Sequence, residues 1–245
     1  MANSYFQFKQ FTINQDKCAM KVTTDGCLFG AFASRVSGVP GNETGNRKIL
    51  DIGTGTGLLA LMLAQQNSVL VDAIEIDKDA FEQASENVVR SQLADKIKVI
   101  HTDARKFISQ SKYDVIISNP PFYEKELKSD DTKKNLAHHN EGLLLPQLLS
   151  IIKKNLKSGG TFYLLLPYKR NAEVKEMLTV HDFAIQRMTF VRQSVNHDYF
   201  RIMLSGKFKA ANSVETEINE IAIRDNQDNY TPLFVSLLKD YYLHL

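Results

Sequence analysis

The sequence has few cysteines and no long apolar run, and these two absences exclude several classes of protein. Its 245 residues include only Cys18 and Cys27, which belong to no CxxC pair and to no Cys/His ligand pattern. We therefore expect neither a zinc site nor a disulfide-stabilised secreted fold. No stretch approaches the roughly 20 apolar residues of a membrane span, and residues 1–10 lack a signal-peptide pattern. We expect a cytoplasmic protein without a metal or a membrane contact.

Charge of neither sign dominates the chain as a whole. The formal net charge is +2, which permits a nucleic-acid partner without requiring one. The distribution is uneven, because residues 163–209 contain eight Lys and Arg against four Asp and Glu. This local excess marks the most basic part of the sequence.

The middle of the chain alternates between strand and helix patterns, which predicts a doubly wound α/β sheet. Residues 113–118 are almost entirely apolar, as expected for a central parallel strand that is buried on both faces. We expect one helix to end at Ser158-Gly159-Gly160. The predicted strands are 48–52, 70–76, 97–101, 113–118 and 161–166, and the predicted helices are 57–66, 78–91 and 143–156.

The flanking segments have other patterns. Before the sheet, the sequence predicts a strand or hairpin over 5–13, a helix over 27–36 and a loop over 37–47. After it, residues 184–192 and 199–207 predict antiparallel strands at the sheet edge, followed by a strand over 217–223 and a helix over 232–242.

A glycine-rich loop follows the strand predicted over 48–52. It reads Asp51-Ile52-Gly53-Thr54-Gly55-Thr56-Gly57, and such a loop lets the backbone turn tightly and approach a ligand closely. A dinucleotide fingerprint needs a glycine where this loop has Leu58, and a P-loop needs a Gly-Lys pair that is absent. The loop alone is weak evidence, because many such loops are structural.

Carboxylates stand at the ends of the next two predicted strands. Glu75 can accept both hydroxyls of a ribose, and Asp103 can accept from an adenine amine. Each of them alone is more often a structural or solvated group. Ligands of such sheets bind outside the carboxyl ends of the strands, so their order along one edge favours a shared ligand.

The pattern D-x-G-x-G-x-G, a strand-end glutamate and then T-D resembles the class I methyltransferases that bind S-adenosylmethionine. The resemblance implies a Rossmann-like, mostly parallel sheet with an antiparallel edge over residues 48–245, forming a single domain. Residues 1–47 would be an extension that packs on the cofactor site. In this family, the residues matching Gly53 and Gly55 border the methionine part, which Asp51 helps to hold, while Glu75 holds the ribose and Asp103 the adenine end.

The catalytic candidates, Asn119-Pro120-Pro121-Phe122, directly follow the apolar strand. An exocyclic amine is a poor nucleophile, because its lone pair is delocalised into the ring. The Asn119 side-chain oxygen and the Pro120 carbonyl can accept its two hydrogens, Pro121 helps to aim that carbonyl, and the base can stack on Phe122. In-line placement against a methyl sulfonium then suffices, without a strong general base or a metal.

This tetrapeptide resembles the catalytic motif of amino-directed methyltransferases, which act on adenine, on rRNA guanine or on protein glutamine. The motif therefore indicates the reaction more specifically than the substrate. The N-terminal and C-terminal segments narrow the choice, because they resemble one bacterial family over nearly the whole chain. That family is the adenine-N6 methyltransferases acting on valine tRNA, at the adenine 3′ of the anticodon. The matching segments are Phe8-Lys9-Gln10-Phe11-Thr12-Ile13, Asp16, Cys18-Ala19-Met20-Lys21-Val22, Thr24-Asp25-Gly26, residues 51–64, residues 117–122, Asp228-Asn229-Tyr230 and Tyr241-Tyr242-Leu243.

The resemblance implies that Lys21, Thr24 and Asp25 lie near the cofactor, although Thr24 and Asp25 can also cap a helix. Its partner would be a tRNA anticodon loop. We expect a monomer, because the sequence shows no exposed apolar helix that could pair with a second copy. This chain departs from the family at Phe122, where members often have Tyr, and at His138, where they tend to have Arg. Residues 123–136 fit a solvated loop or a lid over the substrate. The candidate tRNA contacts are His138, His139, Lys169, Arg170, Arg192 and Arg201.

Other functions stay open at this stage. An rRNA guanine, DNA adenine or protein glutamine methyltransferase would use the same motif. A DNA enzyme would usually need a sequence-reading domain, and a glutamine enzyme would need no basic surface. A non-enzymatic cofactor-binding or RNA-chaperone module is disfavoured by the intact residues Asn119 to Phe122.

Overall fold

The computed structural model describes residues 3–37, 47–66, 68–120, 143–210 and 215–245. A hairpin of β1 and β2 precedes an eight-stranded sheet in this part of the chain. The predicted loop over 37–47 lies almost entirely outside the described residues. The strands are β1 (Tyr5–Gln7), β2 (Thr12–Asn14), β3 (Arg47–Ile52), β4 (Val69–Glu75), β5 (Ile97–His101), β6 (Tyr113–Ser118), β7 (Leu156–Pro167), β8 (Phe183–Ser194), β9 (Tyr199–Phe208) and β10 (Glu217–Arg224).

The order of strands in the large sheet is β10-β8-β9-β7-β6-β3-β4-β5. Strands β3 to β7 are parallel to their neighbours within this group, whereas β9 runs antiparallel to both β7 and β8. Strand β10 returns parallel to β8. The predicted doubly wound sheet with an antiparallel edge is therefore confirmed.

Helices cover both faces of the sheet. Helices α1, α2 and α6 contribute Leu28, Leu61 and Phe234 to one core cluster, and α4 and α5 contribute Leu149 and Leu178 to the other. The helices are α1 (Thr24–Ser37), α2 (Leu58–Gln66), α3 (Lys78–Val89), α4 (Leu145–Asn155), α5 (Asn171–Val180) and α6 (Pro232–Leu238), and a 3₁₀ turn spans Tyr168–Arg170.

Strand β6 shows why a continuous apolar run forms the middle of this sheet. Val115 and Ile117 point into one core cluster, while Ile116 points into the other, and all three are at most 2% exposed. Because alternate side chains enter opposite cores, successive positions in the middle of the strand all need apolar residues. The strand delivers Asn119 to the carboxyl edge of the sheet.

The N-terminal hairpin is joined to the C-terminal segment. Phe8 forms an antiparallel bridge with Tyr242, and the Lys9 amide donates to the Tyr241 carbonyl at 2.8 Å. Phe8 and Tyr242 are both buried, with ring centroids 6.0 Å apart. The two ends of the chain thus share one aromatic cluster.

Two sequence predictions differ from the structure. Helix α4 ends at Asn155, so Ser158-Gly159-Gly160 lies inside β7 instead of ending the helix. The register of β6 against β7 shifts there, and a Cβ on Gly160 would lie 3.0 Å from the Asp114 carbonyl oxygen. These glycines therefore belong to the irregular part of β7, where its register against β6 shifts. Helix α5 was not predicted.

None of the helices in the described part of the chain has the length and apolar character needed to cross a membrane. Cys18 and Cys27 are buried free thiols. Within the described ranges, no group of three or more His, Cys, Asp or Glu side chains could hold a metal ion.

Candidate active site

The glycine-rich loop joins β3 to α2 in a left-handed backbone conformation. Gly53, Gly55 and Gly57 have φ angles of 70°, 58° and 83°, which non-glycine residues rarely adopt. A Cβ on Gly53 or Gly55 would have no described heavy atom within 4 Å, whereas one on Gly57 would lie 3.6 Å from the Ala84 Cα. The first two glycines therefore leave the backbone open to a ligand, and the third packs on α3.

Asp51 is fully buried beneath this loop. Its Oδ2 accepts a hydrogen bond from the Thr54 hydroxyl at 2.6 Å, while its Oδ1 has no hydrogen-bond partner among the described residues. Burial raises the pKa of the Asp51 carboxyl to about 7, and the nearby Glu75 charge adds to this, against the opposing effect of Thr54. A buried carboxylate oxygen that lacks a partner is available to a ligand that carries donors or positive charge.

Glu75 fastens the loop from the end of β4. Its Oε2 accepts from the Gly55 amide at 2.9 Å, and its Oε1 accepts from the amides of Ile76 and Asp77 at 2.8 and 2.9 Å. A carboxylate offers about four acceptor positions, so this arrangement leaves about one on Oε2. The sequence interpretation assigned Glu75 only to a ribose and missed its bonds to backbone amides.

Asp103 follows β5 and is held by Arg105. The Arg105 Nε donates to both carboxylate oxygens at 2.9 and 3.0 Å, and its backbone amide donates to Oδ1 at 2.9 Å. These bonds lower the pKa of the Asp103 carboxyl. The carboxylate therefore stays ionised at neutral pH and has a fixed orientation. Arg105 was not among the predicted site residues.

Asn119 and Pro120 follow β6 at the same sheet edge. Pro120 is buried and Asn119 is partly exposed, while the preceding Ser118 hydroxyl donates to the Ile52 carbonyl at 2.8 Å. That bond ties the end of β6 to the end of β3, where the glycine loop begins. The structure thus brings Asn119 and the loop together. Pro121, Phe122, residues 123–136, His138 and His139 lie outside the described residues.

The segment before α1 supplies the remaining predicted cofactor residues. Lys21 is exposed, and its ammonium group donates to the Gln15 carbonyl. Helix α1 begins at Thr24, and its cap is Thr23, whose hydroxyl accepts from the Gly26 amide at 3.3 Å. The alternative that Thr24 or Asp25 caps the helix is therefore wrong. Instead, Asp25 is buried and accepts from Arg201.

The predicted RNA contacts Lys169, Arg170, Arg192 and Arg201 also lie towards this edge, and the three arginines form ion pairs within the protein. Arg192 pairs with Glu220 at 2.8 Å and lies 4.3 Å from the centroid of the Tyr199 ring. Arg170 pairs with Glu173 at 2.5 Å. Arg201 donates through Nε to the Asp25 Oδ2 at 2.7 Å. Ion pairs within the protein thus hold these three arginine side chains.

Two buried polar residues of α3 were not predicted: Asn87 holds the glycine loop, and Gln83 holds the segment that precedes α1. The Asn87 amide donates to the Thr56 carbonyl at 2.9 Å, and Gln83 accepts from the Lys17 amide at 3.1 Å. Both are at most 1% exposed. Their spacing of four places them on the same helix face as Ala80, Ala84 and Val88. Polar residues on an otherwise apolar helix face are the signal that could have identified them.

Comparison with known proteins gives three results. Residues 37–181 match the model of the methyltransferase small domain family. The chain is 40% identical over 243 residues to the tRNA1(Val) (adenine(37)-N6)-methyltransferase of Dyadobacter fermentans, covering 98% of each chain. It is 39% identical over 248 residues to the protein of the same name from Bacteroides thetaiotaomicron, covering 100% of each.

Solved structures show a similar fold at low sequence identity. A predicted O-methyltransferase from Agrobacterium tumefaciens is 15% identical with a TM-score of 0.65, covering 87% of this chain and 95% of that one. The ribosomal protein L11 methylase of Lactobacillus delbrueckii is 17% identical with a TM-score of 0.55, covering 81% and 84%. At these identities the likeness supports the fold alone.

Proposed function

The chain belongs to the methyltransferase small domain family and to the tRNA1(Val) (adenine(37)-N6)-methyltransferase family, and we propose that it methylates N6 of adenine 37 in tRNA1(Val). The methyl donor is S-adenosylmethionine. The observation that carries this proposal is the position of Asn119 and Pro120 at the carboxyl end of β6, beside the open glycine loop. That arrangement occurs in a chain related to these enzymes over its full length.

The residues at the carboxyl edge of the sheet fit the proposed cofactor. The backbone at Gly53 and Gly55 is open, and the buried Asp51 Oδ1 lacks a partner in the described structure. S-adenosylmethionine carries an ammonium group and a sulfonium, both of which an ionised Asp51 would favour. When bound, the cofactor supplies an electrophilic methyl group. Gly53, Gly55 and Asp51 would hold its methionine part.

The order of the strands supports one direction for the cofactor. Along the carboxyl edge the order is β6, β3, β4 and β5, which carry Asn119, the glycine loop, Glu75 and then Asp103. Neighbouring strands are about 4.8 Å apart, so the row spans about 14 Å. Glu75 would accept from the ribose and Asp103 from the adenine amine. Lys21 and Thr24 would border the methionine end, beside Asp25, whose carboxylate accepts from Arg201.

Asn119 and Pro120 perform the catalytic step by holding the target amine. The Asn119 side-chain oxygen and the Pro120 carbonyl each accept one N6 hydrogen, which localises the nitrogen lone pair. Pro121 would restrict the backbone that aims this carbonyl, and Phe122 would stack against the base. The amine loses a proton to solvent after transfer. This scheme relies on placement, and it asks no side chain to act as a strong base.

The tRNA would approach along the basic part of the same edge. We propose Lys169, Arg170 and Arg192 as contacts, together with His138 and His139, whereas Arg201, which the sequence also suggested, is bound to Asp25. An anticodon loop is single-stranded, so extracting its base costs less than opening a duplex. Because Arg170 and Arg192 have acidic partners in the protein, RNA binding would need those pairs to be shared or exchanged.

A methyl-transfer assay tests the proposal directly. The protein and labelled S-adenosylmethionine are incubated with unmodified valine tRNA, or with a copy that carries guanine at position 37. We expect N6-methyladenine in a digest of the first tRNA and no label in the second. Label in rRNA or protein instead, with neither tRNA modified, would contradict the substrate and leave the methyltransferase activity standing.

A further inference from the structure

We propose that Asp25 and Arg201 act together as a positioning pair that holds the start of α1 against Asn119. This proposal rests on the proposed function and deepens it. Separate roles would make Asp25 a neighbour of the cofactor and Arg201 an RNA contact. The structure joins them, because the Arg201 Nε lies 2.7 Å from the Asp25 Oδ2 across 176 residues of sequence.

The Asp25–Arg201 ion pair is shielded from solvent to an extent that should make the loss of either partner measurable. The Asp25 side chain is 11% exposed and the Arg201 side chain 34%. An exposed ion pair contributes little, but removing one partner of a buried pair leaves a charge without compensation. Asp25 therefore depends on Arg201 for charge compensation, and the ion pair links the first turn of α1 to β9.

Arg201 occupies the edge of the sheet that carries the site. In the register of the strands it lies opposite Pro167 at the end of β7 and opposite Val191 on β8. Strand β7 is in turn the neighbour of β6, which ends just before Asn119. The pair therefore anchors α1 to the strand ends beside the catalytic motif.

Gly26 connects the pair to Asn119. A Cβ on Gly26 would lie 4.0 Å from the Asn119 Nδ2, 3.7 Å from the Leu58 Cδ2 and 3.2 Å from the Thr23 Oγ1. The backbone next to Asp25 thus lies near the catalytic amide and the first residue of α2, with room for little more than a methyl group between them. A shift of this backbone would remove one of the groups that confine the Asn119 side chain.

This geometry predicts a defect in catalysis instead of binding. Misplacing a reacting group by about 1 Å can cost about a hundredfold in rate. We therefore expect Asp25→Asn and Arg201→Gln each to lower kcat on valine tRNA by roughly ten- to a hundredfold. The Kd values for S-adenosylmethionine and for tRNA stay unchanged. The double variant Asp25→Asn/Arg201→Gln should have a kcat no lower than that of either single variant. Arg201→Lys should keep part of the activity.

Asp114→Asn is the matched control for folding. Asp114 pairs with Lys157 at 2.7 Å, with side-chain exposures of 29% and 47%, and it lies near the start of β6 at the opposite edge of the sheet. We expect this control to lower Tm without changing kcat for the folded protein. Calorimetry measures cofactor binding, and filter binding at two salt concentrations measures tRNA binding.

The other outcomes would contradict the proposed positioning role of Asp25 and Arg201. Loss of S-adenosylmethionine affinity in Asp25→Asn alone makes Asp25 a cofactor ligand. Loss of tRNA affinity with a shallower salt dependence in Arg201→Gln alone makes Arg201 a phosphate contact. A lower Tm with unchanged kcat, or additive losses, reduces the pair to a structural role. The wild type is assayed first, because an inactive wild type overturns the proposed function and the pair with it.

Discussion

Asn14 and Asn87 exchange two hydrogen bonds across 73 residues of sequence. The Asn14 amide donates to the Asn87 Oδ1 at 2.9 Å, and the Asn87 Nδ2 donates to the Asn14 carbonyl at 2.8 Å. The same Nδ2 also donates to the Thr56 carbonyl at 2.9 Å. One buried side chain of α3 therefore joins the N-terminal hairpin to the glycine loop.

Asn87→Ala should destabilise the protein and weaken cofactor binding together. The substitution leaves backbone groups of Asn14 and Thr56 buried without partners, at a cost of about 2–4 kcal/mol in the free energy of unfolding. Urea denaturation measures this loss, and calorimetry measures the Kd for S-adenosylmethionine. Asn155→Ala is the control, because Asn155 is also buried and donates to the Ile151 carbonyl at 2.9 Å in α4. Equal affinity losses in both variants would contradict a specific role for Asn87.

Much of the parallel sheet follows from local sequence pattern. Strand β6 has the predicted bounds, because an apolar run buried on both faces is a strong signal. Helix α5 was missed, and Gly159 and Gly160 were misassigned. Those glycines follow a helical run, so they resemble a helix end, whereas Gly160 is needed by the close approach of Leu156 and Asp114.

Contacts within the candidate site were less accessible to sequence reasoning. The carboxylates Glu75 and Asp103 could be placed because they end predicted strands. Their partners could not, since the bonds from Gly55 to Glu75 and from Arg201 to Asp25 join distant parts of the chain. Such pairing depends on strand order and helix position, which the sequence pattern leaves open.

The stability of the wild type should fall with rising pH because of Asp51. Burial raises the pKa of its carboxyl from 3.8 to about 7, so the folded state keeps a proton that the unfolded state loses. This contribution is fully present below about pH 4 and is lost as the pH rises to about 7, by an amount on the order of 4 kcal/mol. Asp51→Asn should remove it.

Denaturant unfolding of both proteins across this pH range checks the prediction. The difference in unfolding free energy between wild type and Asp51→Asn should change between about pH 4 and about pH 7 and then level off. Because the two proteins share every other titratable group, the difference between their unfolding free energies isolates the contribution of Asp51. A difference that does not vary with pH would show that Asp51 titrates normally in the folded protein.

Gly55→Ala and Gly57→Ala should separate stability from binding. Both glycines have left-handed backbone angles, so each alanine costs about 1–2 kcal/mol of stability. At Gly57 the added methyl group meets Ala84 at an ordinary contact distance of 3.6 Å. At Gly55 it projects into open space, where the cofactor is proposed to bind.

We therefore expect similar losses of stability in the two variants, and a much larger loss of S-adenosylmethionine affinity in Gly55→Ala. Chemical denaturation and calorimetry measure the two quantities on the same preparations. If both variants lose affinity equally, the loop conformation alone controls binding, and the open face of Gly55 has no special role.

Asn119→Ala should abolish most activity without affecting the fold. Removing one preorganised hydrogen-bonding group at a reacting centre typically costs about 10²–10³-fold in kcat. Asn119 is partly exposed and comes directly after the end of β6, so its loss should disturb little packing. The Tm and the Kd for S-adenosylmethionine should therefore stay close to wild type. Single-turnover methylation of valine tRNA measures the chemical step separately from product release.

Asn119→Asp tests the proposed role of the side chain as an acceptor. Aspartate keeps an oxygen for the N6 hydrogen but loses the amide donor, so it should retain more activity than alanine if acceptance is what matters. Ser118→Ala is the structural control, since its hydroxyl only ties β6 to the Ile52 carbonyl and its loss should cost about 1 kcal/mol of stability. Equal inactivity of the aspartate and alanine variants would mean that the Asn119 amide donates a hydrogen bond in the reaction, and the acceptor mechanism would then be wrong.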